Sequence, residues 1–386
     1  MTSILALNSG SSSVKFAVFG SNFGILAKGQ VENIGAGLKP RMSLTRIGDG
    51  NAIALPPDLS SHADIIPHLI DTLILPVAGK LAGVGHRVVH GGTRFATPVI
   101  IDADIREAIA ELAPLAPSHQ PHNLAGIDAV AAVLPGVPQI ACFDTAFHRT
   151  IPEHRQLMAL PARFAEEGLR RFGFHGLSYQ GIVRDLPRIA SKAARGRVVA
   201  CHLGNGCSLA GIVDGKSQIT SMGFTPLDGL VMGRRPGRLD PGAVLWLVKR
   251  LGGDAKAVDK LLNQEAGLFG VSGISPDMRT LLDSPAPAAK LAVAMFVDRL
   301  VQEIGAAAAA IGGVDALVFS GGIGENAAPI RAMTVDALSF LDLRLDQDTN
   351  ARNAATISPE GTRPSVHVVP ADEESVIAES VRRLVA

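Results

Sequence analysis

The chain twice repeats a short apolar run, a polar turn rich in small residues and a second apolar run. The first copy joins Ile4–Leu7 to Val14–Phe19, and the second joins Val198–Cys201 through His202–Gly206 to Ser208–Val213. Two apolar runs around such a turn predict a β-hairpin. Two similar hairpins about half a chain apart predict two lobes of related design.

Elsewhere, runs typical of strands alternate with segments of helical spacing. The strands predicted there are Val84–His90, Gln139–Phe143, Ala316–Phe319 and Val366–Val369. The helices predicted are Asp104–Leu112, stretches within Ser118–Val133, Pro287–Ile311 and a last helix from about Asp372. This alternation predicts an α/β protein.

Composition and charge narrow the class of protein. The 386 residues suffice for two or three domains, and 47% hydrophobic with 19% charged residues is typical of a globular chain. The 36 basic and 36 acidic side chains give no net charge, whereas a general nucleic-acid binder carries a basic excess. We therefore expect no nucleic-acid partner.

The sequence also lacks the patterns of membrane and exported proteins. Its most apolar stretch, which starts at Ile304, is broken by glycines and by Asp315 before it reaches the roughly 18 apolar residues of a membrane span. The first residues have no cationic region ahead of a hydrophobic one, and the three cysteines have no disulfide or zinc spacing. We expect a cytoplasmic protein without a membrane partner.

Three glycine-rich turns follow apolar runs and are candidate phosphate sites. They are NSGSSS with Lys15, HLGNG at His202–Gly206 and SGGIGEN at Ser320–Asn326. Small residues let backbone N–H groups approach phosphate oxygens, although each turn taken alone can be a simple tight turn. The sequence has no complete Walker or Rossmann glycine motif, so the three turns together carry the argument for phosphate binding.

Several polar side chains lie near the ends of predicted strands, where α/β proteins place their active sites. Arg87 ends a strand, where its planar fork suits a carboxylate, a phosphate or a surface salt bridge. Asp144 follows an apolar run, and His175 lies among aromatic residues and glycines, as structural histidines also do. Three arginines within Gly233–Arg238 repel one another unless anions visit them. The acidic residues Asp372–Glu374 are either favourable helix N-terminal charge or Mg²⁺ ligands.

These motifs form a characteristic series. In chain order the sequence reads NSGSSSVKF, HRVVHGG, FDTAFH, RFGFHGLSY, HLGNGCS, SMGFTPLDGLVMG, DMR, SGGIGEN and PADEES. In this set and order it resembles the acetate kinases and their short-chain acyl kinase relatives, from residue 3 to about residue 378. The resemblance implies two duplicated ribonuclease-H-like α/β lobes of the acetate and sugar kinase/Hsp70/actin superfamily, with a nucleotide cleft between them. It assigns residues 1–146 and 373–386 to an N-terminal lobe closed by the C-terminal helix, and residues 147–372 to a nucleotide-binding lobe.

The resemblance also implies a role for individual residues. The implied catalytic residues are Asp144, His175 and Arg235. The implied substrate-binding residues are Arg87, which would hold the carboxylate, and Val89, Ser118, Phe174 and Pro226, which would line the acyl pocket. The implied ligands of Mg²⁺, or of Mn²⁺ in its place, are Asn8 and Glu373. The implied ATP/ADP-binding residues are Lys15, His202, Leu203, Gly204, Asn205, Gly206, Asp277, Met278, Arg279, Gly322, Ile323, Gly324, Glu325 and Asn326.

Two departures from the family pattern bear on function. Ser118 stands where the family has a leucine against the acetate methyl group, so either acetate binds more weakly or a larger acid fits. Arg234 and Arg238 replace a threonine and an aspartate on either side of Arg235. They either tighten phosphate binding or pair with acids elsewhere.

The implied activity is reversible, Mg²⁺-dependent, in-line transfer of the ATP γ-phosphoryl group to acetate by a homodimeric enzyme. A kinase for propionate or another short acid is the first alternative, because of Ser118. A non-catalytic ATP-binding scaffold of the actin/Hsp70 type is the second. Because a carboxylate substrate is already ionised at neutral pH, we expect Asp144 to orient other groups rather than to remove a proton.

Overall fold

The structure, a computed structural model, describes residues 2–35, 39–44, 52–56 and 59–385. The chain divides into two compact units. The first contains the residues up to Ala146 and those from Asp372 onward, and the second is Phe147–Ala371. The predicted boundary assigns Asp372 to the second lobe, whereas here it belongs to the first unit.

Strands and helices are numbered in chain order over the described residues. The strands are β1 (Thr2–Ser9), β2 (Ser13–Phe19), β3 (Ile25–Glu32), β4 (Arg41–Leu44), β5 (Ala52–Ala54), β6 (Lys80–Val88), β7 (Val99–Ile100), β8 (Gln139–Phe143), β9 (Arg197–Leu203), β10 (Cys207–Val213), β11 (Lys216–Thr220), β12 (Ala316–Ser320) and β13 (Ser365–Val368). The helices are α1 (His62–Leu69), α2 (Leu75–Ala78), α3 (Ala103–Glu111), α4 (Gln120–Val133), α5 (Glu153–Gln156), α6 (Ala162–Glu166), α7 (Gly176–Ile189), α8 (Pro241–Arg250), α9 (Ala255–Lys260), α10 (Gly267–Ser272), α11 (Met278–Asp283), α12 (Pro287–Ile311), α13 (Gly321–Asn326), α14 (Ala328–Ala337), α15 (Gln347–Ala351) and α16 (Glu373–Val385).

Both predicted hairpins form, because β1 pairs antiparallel with β2 and β9 pairs antiparallel with β10. The strand predicted over Val84–His90 forms as β6, which begins earlier, at Lys80, and ends before Val89. The reason is that the N–H of Val89 donates to Asn123 Oδ1 and the N–H of His90 donates to Gln120 Oε1. Side chains of α4 therefore take the place of a neighbouring strand.

The two sheets repeat one strand order. It is β5-β4-β3-β2-β1-β6-β8-β7 in the first unit and β11-β10-β9-β12-β13 in the second. In each sheet the first strand, β1 or β9, pairs antiparallel with the next strand on one side and parallel with a later strand on the other. The series β3-β2-β1-β6-β8 thus matches the whole second sheet. The prediction of two duplicated ribonuclease-H-like lobes is confirmed.

Parallel pairing brings the candidate site residues of the first unit to one sheet edge. Strands β1, β6 and β8 are parallel neighbours, so their carboxyl ends lie at the same edge, where α/β proteins place their sites. Asn8 lies at the end of β1, Arg87 near the end of β6, and Asp144 directly after β8. In the second unit the ends of β9 and β12 lead into the HLGNG turn and into α13.

Helix α16 packs closely on β6 because two glycines face it. A Cβ at Gly83 would lie 2.8 Å from a methyl group of Val381, and a Cβ at Gly85 would overlap Ile377. This close approach fixes α16 on the first sheet. Glu373, the first residue of α16, is thereby brought to the polar sheet edge.

Candidate active site

Arg87 forms an interior ion pair at the polar edge of the first sheet. Its Nε lies 3.1 Å from both carboxylate oxygens of Asp144, and its Nη2 donates to Oδ2 at 2.6 Å. Its Nη1 donates to Asn8 Oδ1 at 3.3 Å. Asp144 is fully buried, so this is not the surface salt bridge that the sequence left open. Within the described residues, these bonds use three of the five guanidinium N–H groups and leave two for a ligand.

The charge of Arg87 is secured by its neighbours. Burial lowers the pKa of Arg87, but the carboxylates of Asp144 and Glu373 outweigh burial and raise the pKa above its ordinary value. Glu373 Oε2 lies 3.7 Å from Arg87 Nε. One guanidinium thus faces two carboxylates, which leaves this group of side chains with an excess of negative charge.

The oxygen atoms at this edge suit a hard divalent cation. The amide oxygen of Asn8 and the carboxylate of Glu373 both lie around the Arg87 guanidinium. In the described part of the chain no cluster of three or more His, Cys, Asp or Glu side chains forms a metal cage. Mg²⁺ commonly binds through one or two protein oxygens and the phosphates of a nucleotide, so a sparse donor set fits this ion.

Two buried amides of α4, which the sequence reading did not single out, hold the strand ends in place. Asn123 accepts from the N–H of Val89 at 3.0 Å and donates to the carbonyl of Ser9 at 2.8 Å. Gln120 accepts from the N–H of His90 at 3.3 Å and donates to its carbonyl at 3.0 Å. Their sequence signal is a pair of amides three residues apart in a largely apolar helix.

The remaining predicted residues of the first unit differ in exposure. Val89 is buried, whereas Ser118 is exposed in the turn before α4. Lys15 is exposed on β2 and pairs in register with Asn8. The ammonium group of Lys15 therefore stands on the hairpin of the first glycine-rich turn.

In the second unit, hydroxyl groups orient two histidines. His175 has a left-handed backbone with φ of 59° and precedes α7. Its Nδ1 shares a hydrogen bond with Ser208 Oγ at 2.9 Å, and Ser208 Oγ in turn bonds Tyr179 Oη at 2.5 Å. The ring of His202 stacks on His175 with 4.3 Å between centroids, and its Nδ1 bonds Ser178 Oγ at 2.8 Å.

Arg235 and His175 converge on Gly206. A Cβ at Gly206 would lie 2.8 Å from Arg235 Nη2 and 3.2 Å from His175 Nε2, so the glycine makes room for both side chains. Arg235 Nη1 donates to the carbonyl of Pro226 at 2.7 Å. Burial lowers the pKa of Arg235, so an anion that paired with this guanidinium would relieve its desolvation.

A cavity of about 480 Å³ lies in the second unit. Many of the predicted nucleotide residues line it, namely Gly204, Asn205, Asp277, Met278, Arg279, Gly322, Ile323 and Asn326. The cavity is large enough for a small-molecule ligand. A Cβ at Gly322 would meet no atom within 4 Å, so the backbone there is open to an incoming group.

Some predicted nucleotide residues have structural partners instead of lining this cavity. Glu325 Oε1 accepts from the N–H of Gly321 and from the N–H of Ala371, both at 2.9 Å. Leu203 and Gly324 are buried. Asp277 does line the cavity, and it also caps α11 by accepting from Thr280, which lowers the pKa of the Asp277 carboxyl.

The backbone of Phe174, which is predicted to line the acyl pocket, is hydrogen-bonded to a buried histidine. His148 Nε2 bonds the carbonyl of Phe174 at 3.0 Å, and His148 Nδ1 bonds Ser217 Oγ at 2.9 Å. Burial lowers the pKa of His148 to about 4, so it is neutral at neutral pH. Phe174 is buried and Pro226 is half-buried.

Comparison with known proteins agrees with this description. The model of the Acetokinase family matches residues 3–379. An acetate kinase of Rhizobium meliloti is 45% identical over 100% of this chain and 99% of its own length. An acetate kinase of Rhodopseudomonas palustris is 44% identical over 99% of this chain and 98% of its own length.

Solved structures show the same fold. The acetate kinase of Porphyromonas gingivalis superposes with a TM-score of 0.91 at 36% identity, and each chain is fully covered. A propionate kinase from Francisella tularensis superposes with a TM-score of 0.92 at 36% identity over 98% of this chain and 99% of that one. Among the described residues no helix is long and apolar enough to cross a membrane. The fold class and the family resemblance are both confirmed: this chain belongs to the acetokinase family.

Proposed function

We propose that this chain is a kinase that reversibly transfers the γ-phosphoryl group of ATP to acetate and produces acetyl phosphate and ADP. The observation that carries the proposal is the presence, in one family member, of the Arg87–Asp144 ion pair together with His175 and Arg235, whose side chains both lie beside Gly206. A scaffold that only binds nucleotide has no need of the first pair. The first unit would supply the acid-binding group, and the second unit would supply the nucleotide-binding and charge-stabilising groups.

The chemistry needs little more than alignment and charge neutralisation. Phosphoryl transfer to a carboxylate brings one anion towards another, and no proton has to leave the acid. Two N–H groups of Arg87, which no described residue uses, would hold the carboxylate, and Asp144 fixes the plane of the guanidinium. Because Asp144 is already engaged in this way, we assign it an orienting role rather than that of a base.

His175 and Arg235 would stabilise the charge that develops on the transferred group. Both point at the space beside Gly206, and both are fixed by hydrogen bonds before any ligand arrives. Donors that are already in place stabilise a transition state without the cost of reorganisation. The cavity lined by Gly204, Asn205 and Gly322 would hold the nucleotide.

Asn8 and Glu373 would hold Mg²⁺, or Mn²⁺ in its place. When bound, such an ion would neutralise negative charge on the nucleotide phosphates. Asn8 also accepts from Arg87, so the metal ligand and the acid-binding guanidinium are positioned by one another. Lys15 would add a positive charge for a phosphate group.

Acetate is the acid that the family membership favours, and propionate is the close alternative. Val89, Phe174 and Pro226 match the family's acyl-binding positions in the sequence, whereas Ser118 departs from the family pattern. One methylene group changes the binding free energy by only about 1–3 kcal/mol. The exposed Ser118 hydroxyl is therefore the feature that would shift the preference towards a longer acid.

A homodimer through α8 is the assembly that we propose. None of the residues of α8 is buried, and Leu245 and Trp246 are 64% and 61% exposed. A ten-residue helix gains most of its stability from burying an apolar face, and exposed apolar patches mark interaction surfaces. Sedimentation and native mass spectrometry should give twice the mass of the chain, and a monomer at micromolar concentration would refute this assembly.

A reducing, cytoplasmic location is consistent with the cysteines. Cys142, Cys201 and Cys207 are buried free thiols. Burial raises the pKa of each of them, to about 12 for Cys142 and Cys207, so none is a reactive thiolate.

The test of the proposed function is turnover of Mg-ATP with a panel of acids from formate to valerate, with acyl phosphate trapped by hydroxylamine. We expect the highest kcat/KM with acetate. A maximum at propionate or a longer acid would keep the mechanism and assign the specificity to Ser118. Nucleotide binding without acyl phosphate from any acid would refute the kinase assignment in favour of a scaffold.

A further inference from the structure

Arg235 lies on a loop, Gly229–Arg238, that is closed by backbone bonds at its base and at its tip. At the base, the N–H of Arg238 donates to the carbonyl of Gly229 at 3.0 Å. At the tip, the N–H of Met232 donates to the carbonyl of Arg235 at 3.0 Å. Because these two bonds join both ends of the loop, the position of its base determines the position of the Arg235 backbone.

Arg234 is engaged with protein groups on one side of this loop. The Arg234 guanidinium lies 4.3 Å from the ring centroid of Phe269 and donates from Nη1 to the carbonyl of Gln264 at 2.9 Å. Backbone bonds join the same two segments, because Phe269 N–H donates to the carbonyl of Gly233 at 2.9 Å. Arg234 therefore anchors the tip of the loop rather than offering its charge to a phosphate.

Arg238 is engaged at the base of the loop with a buried acid of α12. Its Nη2 lies 2.8 Å from Glu303 Oε1, and the Glu303 side chain is only 6% exposed. Arg299, also on α12, donates from Nη1 to the carbonyl of Arg238 at 3.3 Å. Both the side chain and the backbone of Arg238 are thus held by one helix.

The buried carboxylate of Glu303 favours a close ion pair with Arg238. Burial raises the pKa of Glu303. The positive charges of Arg238, Arg299 and Arg171 lower this pKa, whereas the negative charge of Asp228 raises it further. A carboxylate in such a place is costly unless a cation compensates it. Asp228 lies 3.6 Å from Arg171, and among the described residues Arg238 is the cation that forms an ion pair with Glu303.

Close backbone packing at Gly237 limits how the loop can adjust around this ion pair. Gly237 has φ of 73°, and a Cβ there would lie 2.5 Å from the carbonyl oxygens of Gly229 and Leu230. The backbone next to Arg238 is therefore packed against the other strand of the loop. A shift of Arg238 would be transmitted to Arg235 instead of being absorbed between them.

We infer that Glu303 and Arg238 form a positioning pair that sets the orientation of Arg235, so that Arg238 pairs with an acid within the fold and does not bind phosphate. This inference rests on the proposed function, since it concerns the side chain that would stabilise the transferred phosphoryl group. It also explains how the loop tolerates arginines on both sides of Arg235. Each of the two flanking guanidinium groups is compensated by the protein itself.

The test compares kcat and KM for Arg238→Met, Arg238→Lys and Glu303→Gln with those of the wild type, using trapped acetyl phosphate as the readout. A misplacement of about 1 Å in a catalytic group costs up to about 100-fold in rate. We expect kcat to fall about tenfold in Arg238→Met and Glu303→Gln, with KM for ATP and acetate within about twofold of wild type. Arg238→Lys should recover most of the loss. Arg195 is an exposed arginine of the same unit, so Arg195→Met is the matched control, and its kcat and KM should equal those of the wild type.

A second comparison separates positioning from a general loss of stability. In an Arg235→Lys background, Arg238→Met should lower kcat by less than about twofold, because the side chain that it orients is already altered. Wild-type kcat in Arg238→Met, or an undiminished loss in the Arg235→Lys background, would overturn the inference while the proposed function stands. Absence of acyl phosphate from the wild-type protein itself would overturn both.

Discussion

At the scale of single residues, the candidate site side chains are held in place by hydrogen-bonded partners. Arg87 is fixed by Asp144 and Asn8, and His175 is fixed by Ser208. The family motifs assign roles to Arg87, Asp144 and His175, whereas they assign none to Ser208, the last residue of the motif HLGNGCS. The supporting hydroxyl is visible only once the strand that carries it is folded beside the histidine.

Replacement of Asp144 by asparagine tests the orienting role of the buried carboxylate. Asp144→Asn removes the negative charge that faces Arg87 and places an N–H₂ group against a guanidinium that can only donate. We expect kcat for acetyl phosphate formation to fall by about 100-fold, since Arg87 would lose its fixed orientation. The measurement is hydroxylamine trapping at saturating ATP. Asp128→Asn, which alters an exposed partner of Arg106, is the control, and wild-type turnover in Asp144→Asn would refute the role.

Gly206 tests whether Arg235 and His175 act at one place. In Gly206→Ala the new methyl group would stand 2.8 Å from Arg235 Nη2 and 3.2 Å from His175 Nε2, so one of the two side chains must move. We expect kcat to drop by at least about tenfold with an unchanged melting temperature. Gly305 lies in α12, and a Cβ added there would meet no atom within 4 Å outside the neighbouring helix backbone. Gly305→Ala should therefore leave kcat unaltered. An active Gly206→Ala enzyme would show that the two groups do not cooperate.

At the scale of elements, the sequence pattern predicted the strands that carry the candidate site and the long helix α12, but it did not predict β3 or α7. The helix over Pro287–Ile311 is present with the predicted bounds, because its apolar spacing is sustained for its whole length. Strand β6 stops short of the prediction, because amides of α4 compete for its last N–H groups. Apolar periodicity reports burial, and it does not report which polar side chain will take a backbone bond.

Asn123 offers a test of this link between α4 and the strand ends. Asn123→Ala leaves the carbonyl of Ser9 and the N–H of Val89 without the partner they now have. The loss of two buried hydrogen bonds should lower the free energy of unfolding by about 2–4 kcal/mol. Urea denaturation measures this change, with Asn22→Ala, at an exposed position of the same unit, as the control. Equal stability of the two variants would contradict the bridging role.

At the scale of the whole molecule, the repeated hairpin in the sequence pointed to the repeated sheet in the structure. Similar strand–turn–strand patterns at Asn8 and Asn205 indicate related lobes, because the same topology uses the same local pattern twice. The sequence pattern does not reveal strand β4 of the first sheet, because its sequence RMSL lacks the continuous apolar run by which the other strands are predicted. Ser118 alone does not predict whether acetate or a longer acid is preferred, since a single exposed side chain does not determine the size of an acyl pocket.

Buried neutral histidines make the stability of the protein depend on pH. Burial lowers the pKa of His86, His90 and His148 to about 4 each, whereas an unfolded histidine titrates near 6.5. The unfolded state therefore binds more protons between these values, so stability is complete above about pH 6.5 and falls as the pH drops towards 4. Each histidine contributes a slope of about 1.4 kcal/mol per pH unit in this range.

Urea denaturation at several pH values between about 7.5 and 4.5 measures this slope. We expect His148→Gln to have a shallower slope than the wild type, whereas His154→Gln, at an exposed histidine, should have the wild-type slope. Stability that stays constant over this interval would contradict the assignment of neutral buried rings.

The central claim is that the chain joins a phosphoryl group to a carboxylate. Its most direct test is the stoichiometry of product formation with Mg-ATP and acetate, with ADP measured beside trapped acetyl phosphate. The account predicts one acetyl phosphate for each ADP, and loss of both products when acetate or the divalent ion is left out. ADP formed without acetyl phosphate, at a rate indifferent to acetate, would contradict it.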